Sequence, residues 1–179
     1  MERLQRIAVL LSLIETLEDK GSWCGETHIQ KTTYFLEKGM GVPLGYEFIL
    51  YKHGPYSFDL SDEIMSTLAD GYLKVIPKYP YGPSIIPSNN SASLKQKNKS
   101  IIDQYKKEIQ FTSDQLANKT VVELEMLATA LYVTLEYPKE QHNYRAQIIH
   151  DIKPHISLDS AASAVDVVDR ILEEQKQIV

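Results

Sequence analysis

The sequence predicts a mainly α-helical fold of the α+β class: a winged-helix-like N-terminal module with a short β-hairpin, followed by a C-terminal helical extension. Apolar residues recur at helical spacing through most of the 179 residues. Two short stretches rich in β-branched residues flank a proline-containing loop, as in a β-hairpin. With 43% apolar residues and only 8 glycines and 8 prolines, the chain can form a core, and no long disordered region is expected.

The first two helices are predicted from apolar stripes near the N-terminus. The inward positions of the first are Leu4, Ile7, Leu11, Ile14 and Leu17. Further apolar residues widen the stripe, so this helix is expected to be covered on more than one side. A second helix is predicted over residues 27–38, with Gly39 in the left-handed position that ends many helices.

A short strand and a third helix follow. Aromatic and β-branched residues dominate positions 46–52 and predict the strand. Residues 53–55, His-Gly-Pro, are expected to end it, because proline interrupts regular strand pairing. Ser57 is the predicted N-cap of a helix that runs to about Asp70 and is closed by Gly71.

Residues 72–76 and 84–87 are predicted to pair as a β-hairpin around a proline-stiffened tip at 77–83. The resulting order of helix, helix, strand, helix and hairpin follows the outline of a winged helix-turn-helix. The second and third helices are separated by about 17 residues, whereas a tight helix-turn-helix has three or four. The module therefore resembles a winged helix in outline only.

The second half is predicted to be helical throughout. Residues 87–93 form the best linker in the chain and divide a module at 1–90 from an extension at 91–179. The extension could also pack on the module, so that the two form one compact unit. Dimerisation through the second half is an open alternative. The last two predicted helices cover 144–152 and start at Ser157 or Ser160.

Capping patterns locate the middle helices of the extension. One helix is predicted over 95–110, and a capping box at 112–115 indicates a short helix after it. Thr120 and Glu123 form a clearer capping box. The inward positions of the helix that this box opens are Leu124, Leu127, Ala128, Leu131 and Leu135.

The composition narrows the classes of protein to which this chain could belong. The formal net charge is −5, and neither half has the excess of basic residues typical of a nucleic-acid-binding domain. The longest apolar run, residues 7–14, is far shorter than the roughly 20 residues that cross a bilayer. The single cysteine, Cys24, excludes an internal disulfide and fits a reducing compartment. We expect a cytoplasmic protein without a membrane segment.

Three segments carry a resemblance to known families: "HIQKTTYFLEK" (28–38), "FILYKHGPYSFDLSDEI" (48–64) and "LADGYL" (68–73). They match a helix of the pattern L-Q-K-x-x-Y-x-L, a strand that enters a "YGPYS"-like turn, and a helix that ends in Gly-Tyr. In this pattern the chain resembles the YwgA-like proteins and, more distantly, the SocA-like antitoxin domain, also called Panacea. The resemblance covers roughly residues 5–75, and His53 stands where tyrosine is commoner.

The resemblance implies a mostly helical prokaryotic domain without established catalysis. Antitoxin-like members are adaptors or neutralisers of a protein partner, whereas YwgA-like members are essentially uncharacterised. It supplies no catalytic residue. We therefore expect a non-enzymatic, antitoxin-like interaction or regulatory module that binds and restrains another protein.

The third helix carries the main candidate surface. Its predicted outward positions are Asp59, Asp62, Glu63, Ser66 and Asp70. In a winged helix this helix would enter the major groove, where carboxylates without an offsetting basic residue would be repelled by phosphates. A solvated face and a docking face for a basic partner remain open. The predicted partner-binding residues are His53, Tyr56, Asp59, Asp62 and Glu63, since exposed aromatic residues beside a stiff turn often anchor partners.

The alternative is a winged-helix DNA-binding transcriptional regulator. It would use the hairpin tip and the lysine-rich stretch 93–107 instead of the third helix. The nucleic-acid-binding residues of this alternative are Lys74, Lys78, Lys95, Lys97 and Lys99. Such contacts would be non-specific and would weaken steeply with salt.

The sequence nominates neither catalytic nor metal-binding residues. His53, Ser57 and Asp59 are the residue types of a hydrolytic triad, but they lie within seven residues and lack a nucleophile elbow. Cys24 and His28 are four apart, but there is no second cysteine for a structural zinc site. No phosphate-binding glycine motif occurs. We expect no enzyme activity, no metal and no cofactor.

Overall fold

Nine α-helices and two β-hairpins make up residues 1–79 and 82–178, which are the residues that the computed structural model describes. The predicted class, mainly helical α+β, is confirmed. The helices are α1 (Arg3–Asp19), α2 (Glu26–Tyr34), α3 (Phe58–Ala69), α4 (Ser91–Lys97), α5 (Lys99–Gln104), α6 (Lys106–Leu116), α7 (Val121–Glu136), α8 (His142–Ile152) and α9 (Leu158–Gln175). The strands are β1 (Ile49–Tyr51), β2 (Gly54–Tyr56), β3 (Leu73–Ile76) and β4 (Ser84–Pro87).

Helix α1 is buried over much of its length. Its buried residues are Ile7, Ala8, Val9, Leu10, Leu11, Leu13, Ile14 and Leu17. Because they occupy consecutive positions, the helix contacts neighbours on more than one side, as the widened apolar stripe predicted. Leu4 is an exception to the predicted stripe, since it is 51% exposed.

Helix α2 does not end at Gly39 in the expected way. It continues into a π-helical turn, Phe35–Gly39, and the left-handed residue is Gly41, with φ +76°. Gly39 lies within the turn, close to Leu131 of α7 and Phe35. The prediction of Gly39 as the left-handed residue was wrong because the extra residue of a π turn displaces the end of the helix along the chain.

Pro55 does not end strand pairing. Strands β1 and β2 form an antiparallel hairpin in which Leu50 pairs with Pro55 and Tyr51 with Gly54. Proline is tolerated in a two-stranded ribbon where its nitrogen points away from the partner strand. The Pro55 carbonyl also points away, because it accepts a hydrogen bond from Lys31 of α2. The expected single strand at 46–52 is therefore a shorter strand within a hairpin.

The third helix and the second hairpin form as predicted. Ser57 caps α3, with its Oγ accepting a hydrogen bond from the Leu60 N–H at 3.2 Å. Gly71, with φ +74°, follows the C-cap Asp70. Strands β3 and β4 pair antiparallel, with Leu73 opposite Pro87. At the predicted tip, Pro80 and Tyr81 lie outside the described residues.

The helix predicted over 95–110 is three short helices, α4, α5 and α6, with breaks at Asn98 and Tyr105. The capping box predicted at 112–115 was wrong, because Thr112 and Ser113 lie inside α6 and are buried.

The last three helices agree better with the sequence. The Thr120–Glu123 capping box of α7 is confirmed, with both of its reciprocal hydrogen bonds formed. Leu135, expected inward, is 41% exposed. Ser157, rather than Ser160, is the N-cap of α9.

Two buried clusters form the core, and both combine residues from either side of residue 90. The first joins α1 with Leu94 of α4 and Ile109 of α6. The second joins Tyr34 and Phe35 with α7, α8 and α9. The second half therefore packs directly on the first. No helix within 1–79 and 82–178 is both long and apolar enough to cross a membrane.

Candidate functional site

Two of the three segments that carry the sequence resemblance, residues 28–38 and 48–64, contact each other. Gln30 of α2 holds the residue that joins β2 to α3. Its Nε2 donates to the Ser57 carbonyl at 2.8 Å, and its Oε1 accepts from the Ser57 N–H at 3.0 Å. Gln30 and Ser57 are buried, at 1% and 0% exposure, so both bonds are shielded from water. This bidentate contact fixes the direction in which the chain leaves the hairpin.

Lys31 makes a second contact between α2 and the hairpin. Its Nζ donates to the Pro55 carbonyl at 2.7 Å, and the residue is 2% exposed. Burial lowers the pKa of the Lys31 ammonium to about 8, because the charged form loses hydration, although the nearby Glu125 carboxylate opposes the shift. The side chain acts here as a buried donor that satisfies a hairpin carbonyl.

Helix α7 supports the hairpin from another side. Gly54 has φ +83°, and a Cβ there would lie 2.9 Å from Thr129 Oγ1 and 3.3 Å from the Glu125 carbonyl oxygen. Only glycine fits both the backbone conformation and this close approach. Glu125 itself is 8% exposed.

Basic side chains surround Glu125 and the hairpin turn. His53 Nδ1 and His155 Nε2 lie 3.3 and 3.1 Å from the two Glu125 carboxylate oxygens, within hydrogen-bonding distance. Lys153 Nζ donates to the Tyr51 carbonyl at 2.7 Å and also to the Lys52 carbonyl. Burial lowers the pKa of Lys153, and Glu125 opposes that shift. The turn between β1 and β2 is therefore anchored to α7 and to the end of α8.

Three aromatic side chains lie on the outside of this anchored hairpin. Tyr51, Tyr56 and Phe58, which we call the aromatic cluster, have ring centroids 5.1 to 5.9 Å apart. Tyr51 and Phe58 are each 54% exposed. Tyr56 donates through its hydroxyl to Glu26 Oε1 at 2.9 Å. The cluster is thus ordered by the scaffold, yet it presents apolar surface to solvent.

The predicted acidic face of α3 is only partly exposed. Glu63 is 6% exposed, and its carboxylate accepts hydrogen bonds from Arg3 and Arg6 of α1 at 2.7 to 3.1 Å. Arg3 also pairs with Asp70 at 3.5 Å. The expectation that Glu63 belongs to a solvated face was wrong, because a buried carboxylate is retained where two guanidinium groups neutralise it.

Asp59 and Asp62 remain on the exposed side of α3. Asp59 directly follows Phe58 in the first turn of the helix, so the carboxylates and the aromatic cluster are neighbours. Burial raises the pKa of the Tyr56 hydroxyl, and the Asp62 carboxylate is near enough to contribute to this shift. His53 lies at the hairpin turn, 63% exposed, beside Glu125.

The five lysines of the DNA-binding alternative differ in their surroundings. Lys95 pairs with Glu15, and its side chain is only 18% exposed. Lys99 pairs with Asp103, and Lys78 lies over the ring of Trp23 at 4.9 Å. Lys74 and Lys97 are exposed. At least three of the five therefore already contact groups of the protein.

The triad-like residues near the hairpin do not assemble. Ser57 Oγ caps α3, His53 faces Glu125, and Asp59 is exposed. Burial raises the pKa of the Cys24 thiol to about 11, which disfavours the reactive thiolate. Within the described residues, no three His, Cys, Asp or Glu side chains are grouped so that they could hold a metal ion.

Sequence reasoning missed the residues that position the surface. The sequence places Gln30 and Lys31 in a motif that carries the resemblance, but no pattern in it marks Lys153, Glu125 or the pair Arg3 and Arg6 as supports of the surface. One feature of the sequence does indicate that these residues are buried. The polar residues of α2 lie between Ile29 and Tyr34, in a helix of only nine residues that has little room for a separate solvent-exposed face. All seven of its residues from His28 to Tyr34 are buried.

No family model, no curated protein and no solved structure matches this chain. The resemblance to the YwgA-like and SocA-like proteins therefore stays a prediction.

Proposed function

We propose that the protein is a non-enzymatic, antitoxin-like interaction or regulatory module that binds and restrains a basic protein partner. The single observation that carries the proposal is the exposed aromatic cluster on the β1–β2 hairpin and the start of α3, where α2, α7 and the end of α8 hold the hairpin in place. The docking surface consists of Tyr51, Tyr56, Phe58, Asp59 and Asp62. It contains three of the five residues that the sequence nominated.

The exposure of the aromatic cluster and the hydrogen bonds that hold the hairpin beneath it together favour docking of a protein partner. Half-exposed aromatic side chains leave apolar surface in contact with water, and a partner that covers them removes that surface from water. Aromatic residues are also enriched among those that dominate binding free energy. Gln30, Lys31 and Lys153 hold the hairpin by hydrogen bonds to its backbone or to the residue after it. A surface that is already ordered loses little conformational entropy when a partner binds.

The charges beside the aromatic cluster indicate the kind of partner. Asp59 and Asp62 are exposed on α3, whereas Glu63 is neutralised by α1. Two carboxylates at the edge of an apolar patch favour a partner with complementary basic groups, through faster association and orientation. The contacts of Lys78, Lys95 and Lys99 within the protein give no support to the DNA-binding alternative.

The experiment uses the intact tagged chain as bait in a lysate of its native host, with and without nuclease, followed by quantitative mass spectrometry. The test variants are Phe58→Ser and the double variant Asp59→Lys/Asp62→Lys. Helix α9 supplies matched controls, because it also begins with a serine N-cap, an exposed apolar residue and a first-turn aspartate. The controls are Leu158→Ser and Asp159→Lys.

The proposal predicts one stoichiometric protein that resists nuclease and is retained by the wild type and both controls. Its recovery should fall about tenfold or more with each test variant, as expected for a residue that dominates binding. Equal recovery with all five baits would refute the docking surface. Recovery of nucleic acid, with loss of proteins after nuclease treatment, would favour the DNA-binding alternative.

A further inference from the structure

The two strands of the β1–β2 hairpin differ in what covers them. Strand β2 packs on α2 and α7, and its Pro55 carbonyl accepts a hydrogen bond from Lys31. Strand β1 packs chiefly on β2. Its residues Ile49 and Tyr51 are 50% and 54% exposed, with the half-buried Leu50 between them. Strand β1 is therefore an edge strand whose outer side is open to solvent.

The register of the hairpin determines where the backbone groups of Leu50 point. Leu50 lies opposite Pro55, which has no N–H, so this pair is not hydrogen-bonded. Because hydrogen-bonded and non-hydrogen-bonded pairs alternate along an antiparallel ladder, the N–H and C=O of Leu50 point away from β2. Neither group has a hydrogen-bond partner within residues 1–79 and 82–178, and the carbonyl groups that Lys153 contacts belong to Tyr51 and Lys52. An edge with unpaired backbone groups is a template for a further strand.

The sequence around Leu50 is complementary to itself when two copies run antiparallel. If Leu50 of one copy lies opposite Leu50 of another, Ile49 lies opposite Tyr51, and Tyr51 lies opposite Ile49. Pairing therefore covers part of the exposed apolar surface of both residues. A β-branched residue opposite an aromatic one is among the favourable cross-strand pairs.

The charged residues at the two ends of this segment are also complementary. Exposed Glu47 precedes the strand, whereas exposed Lys52 and His53 form the turn after it. An antiparallel arrangement centred on Leu50 brings the Glu47 carboxylate of each copy to the turn of the other, where the Lys52 ammonium lies. A parallel arrangement would place Glu47 beside Glu47 and Lys52 beside Lys52. The charges thus favour a second, antiparallel copy of the chain as the occupant of the edge.

We propose that the outer edge of β1 pairs with the same edge of a second copy of this chain, in an antiparallel ladder centred on Leu50. Each Leu50 N–H then donates to the Leu50 carbonyl of the other copy, and the two hairpins form one sheet of four strands. The contact is isologous and closes at two copies. Edge pairing leaves the faces of the sheet uncovered, so the two aromatic clusters become neighbours on one face. The inference concerns the chain alone and stands or falls separately from the proposed function.

Sedimentation equilibrium of the purified full chain tests the association. A three-residue edge buries less surface than a standard interface, so we expect a monomer–dimer equilibrium with a Kd of about 10–300 µM. Leu50→Pro should raise this Kd at least about tenfold, because it removes the N–H donor from both copies. The hairpin itself should persist, since this N–H makes no bond to β2 and proline is tolerated at such edge positions. The melting temperature of the diluted variant checks this point.

Two substitutions at the exposed Ile49 keep the test independent of Leu50→Pro. In the proposed pair the two residues at position 49 lie diagonally across the centre, about 7–8 Å apart and within reach of long side chains. Ile49→Lys and Ile49→Glu should therefore each raise the Kd, because like charges face each other. An equimolar mixture of the two variants should dimerise about three- to tenfold more tightly than either variant alone, since unlike charges then meet.

Disulfide formation tests the register. Opposed residues in a hydrogen-bonded antiparallel pair have Cα atoms about 5.5 Å apart, which suits a disulfide, whereas the diagonal distance at position 49 exceeds the usual limit of about 7 Å. Leu50→Cys should therefore oxidise to a covalent dimer at least about tenfold faster than Ile49→Cys. Random collisions would give the opposite order, because Ile49 is the more exposed residue. The native Cys24 is fully buried and does not compete.

A chain that stays monomeric at concentrations well above this Kd range would overturn the inference. So would a dimer that none of these variants weakens, as a dimer through the second half would be, or faster oxidation of Ile49→Cys than of Leu50→Cys. If the chain is monomeric and Leu50→Pro lowers the recovery of the captured partner, the edge takes a strand of that partner and the inference of a second copy fails. Because sedimentation and oxidation use the purified chain without a partner, their outcome is independent of whether Phe58→Ser affects partner capture.

Discussion

Replacement of Gly54 by alanine tests how closely the β1–β2 hairpin approaches α7. Gly54 has φ +83°, and the added Cβ would lie 2.9 Å from Thr129 Oγ1 and 3.3 Å from the Glu125 carbonyl oxygen. The second of these atoms belongs to helix backbone, which cannot move aside as a flexible side chain can. The substitution should therefore strain both the backbone and the packing.

Two contributions determine how much Gly54→Ala should lower the free energy of unfolding. The left-handed conformation costs an alanine about 1–2 kcal/mol, and overpacking at a close contact costs about 1–3 kcal/mol more. The free energy of unfolding should thus fall by about 2–5 kcal/mol. Gly41→Ala is the matched control, because Gly41 has φ +76° and no atom within 4 Å of the position of its added Cβ. It should show only the backbone contribution.

The assay is urea unfolding of the wild type and both variants, followed by far-ultraviolet circular dichroism. The difference in free energy of unfolding between Gly54→Ala and Gly41→Ala isolates the cost of the close approach of the hairpin to α7. We expect this difference to be about 1–3 kcal/mol. Adding Thr129→Ala to Gly54→Ala should recover part of this loss, because it removes the nearer atom. If the two glycine variants agree within about 0.5 kcal/mol, the hairpin does not press against α7 as described.

Two further predictions concern the contacts of α2. Gln30→Met should reduce the free energy of unfolding by about 2–4 kcal/mol, because it removes two buried hydrogen bonds to Ser57. The same variant should speed hydrogen exchange at the Ser57 amide. A loss of stability no larger than that of Gln110→Met, at an exposed position, would contradict this prediction. Burial lowers the pKa of Lys31 from 10.5 to about 8, so between these values the unfolded chain binds a proton that the folded chain has released, and stability rises with pH. From pH 8 to 10.5 the wild type should gain about 3 kcal/mol relative to Lys31→Met, and parallel stability profiles of the two proteins would refute the assignment.

Local signals predicted the helix starts well. Ser57 and the Thr120–Glu123 box cap their helices as expected, because a cap depends on residues within one turn of each other. The breaks at Asn98 and Tyr105 were missed, since neither residue is a glycine or proline that would interrupt a helical pattern.

The site was harder to predict than the helices because its contacts join residues far apart in sequence. Glu63 looked like part of a solvated face, but its partners Arg3 and Arg6 are 60 and 57 residues away. Pro55 looked like the end of a strand, but its carbonyl is satisfied by Lys31, 24 residues earlier. Helical periodicity describes which face a residue occupies, whereas burial of a charge depends on what packs against that face.

The central claim is that the aromatic cluster and the exposed carboxylates of α3 dock a basic protein. The most direct test is the Kd of the purified captured partner for the wild type, Phe58→Ser and Leu158→Ser. Both variants remove a half-exposed apolar residue directly after a serine N-cap. The account predicts that Phe58→Ser raises the Kd about 30-fold or more, as for a residue that dominates an interface, while Leu158→Ser leaves it unchanged. Equal affinity of all three proteins for the partner would contradict the account.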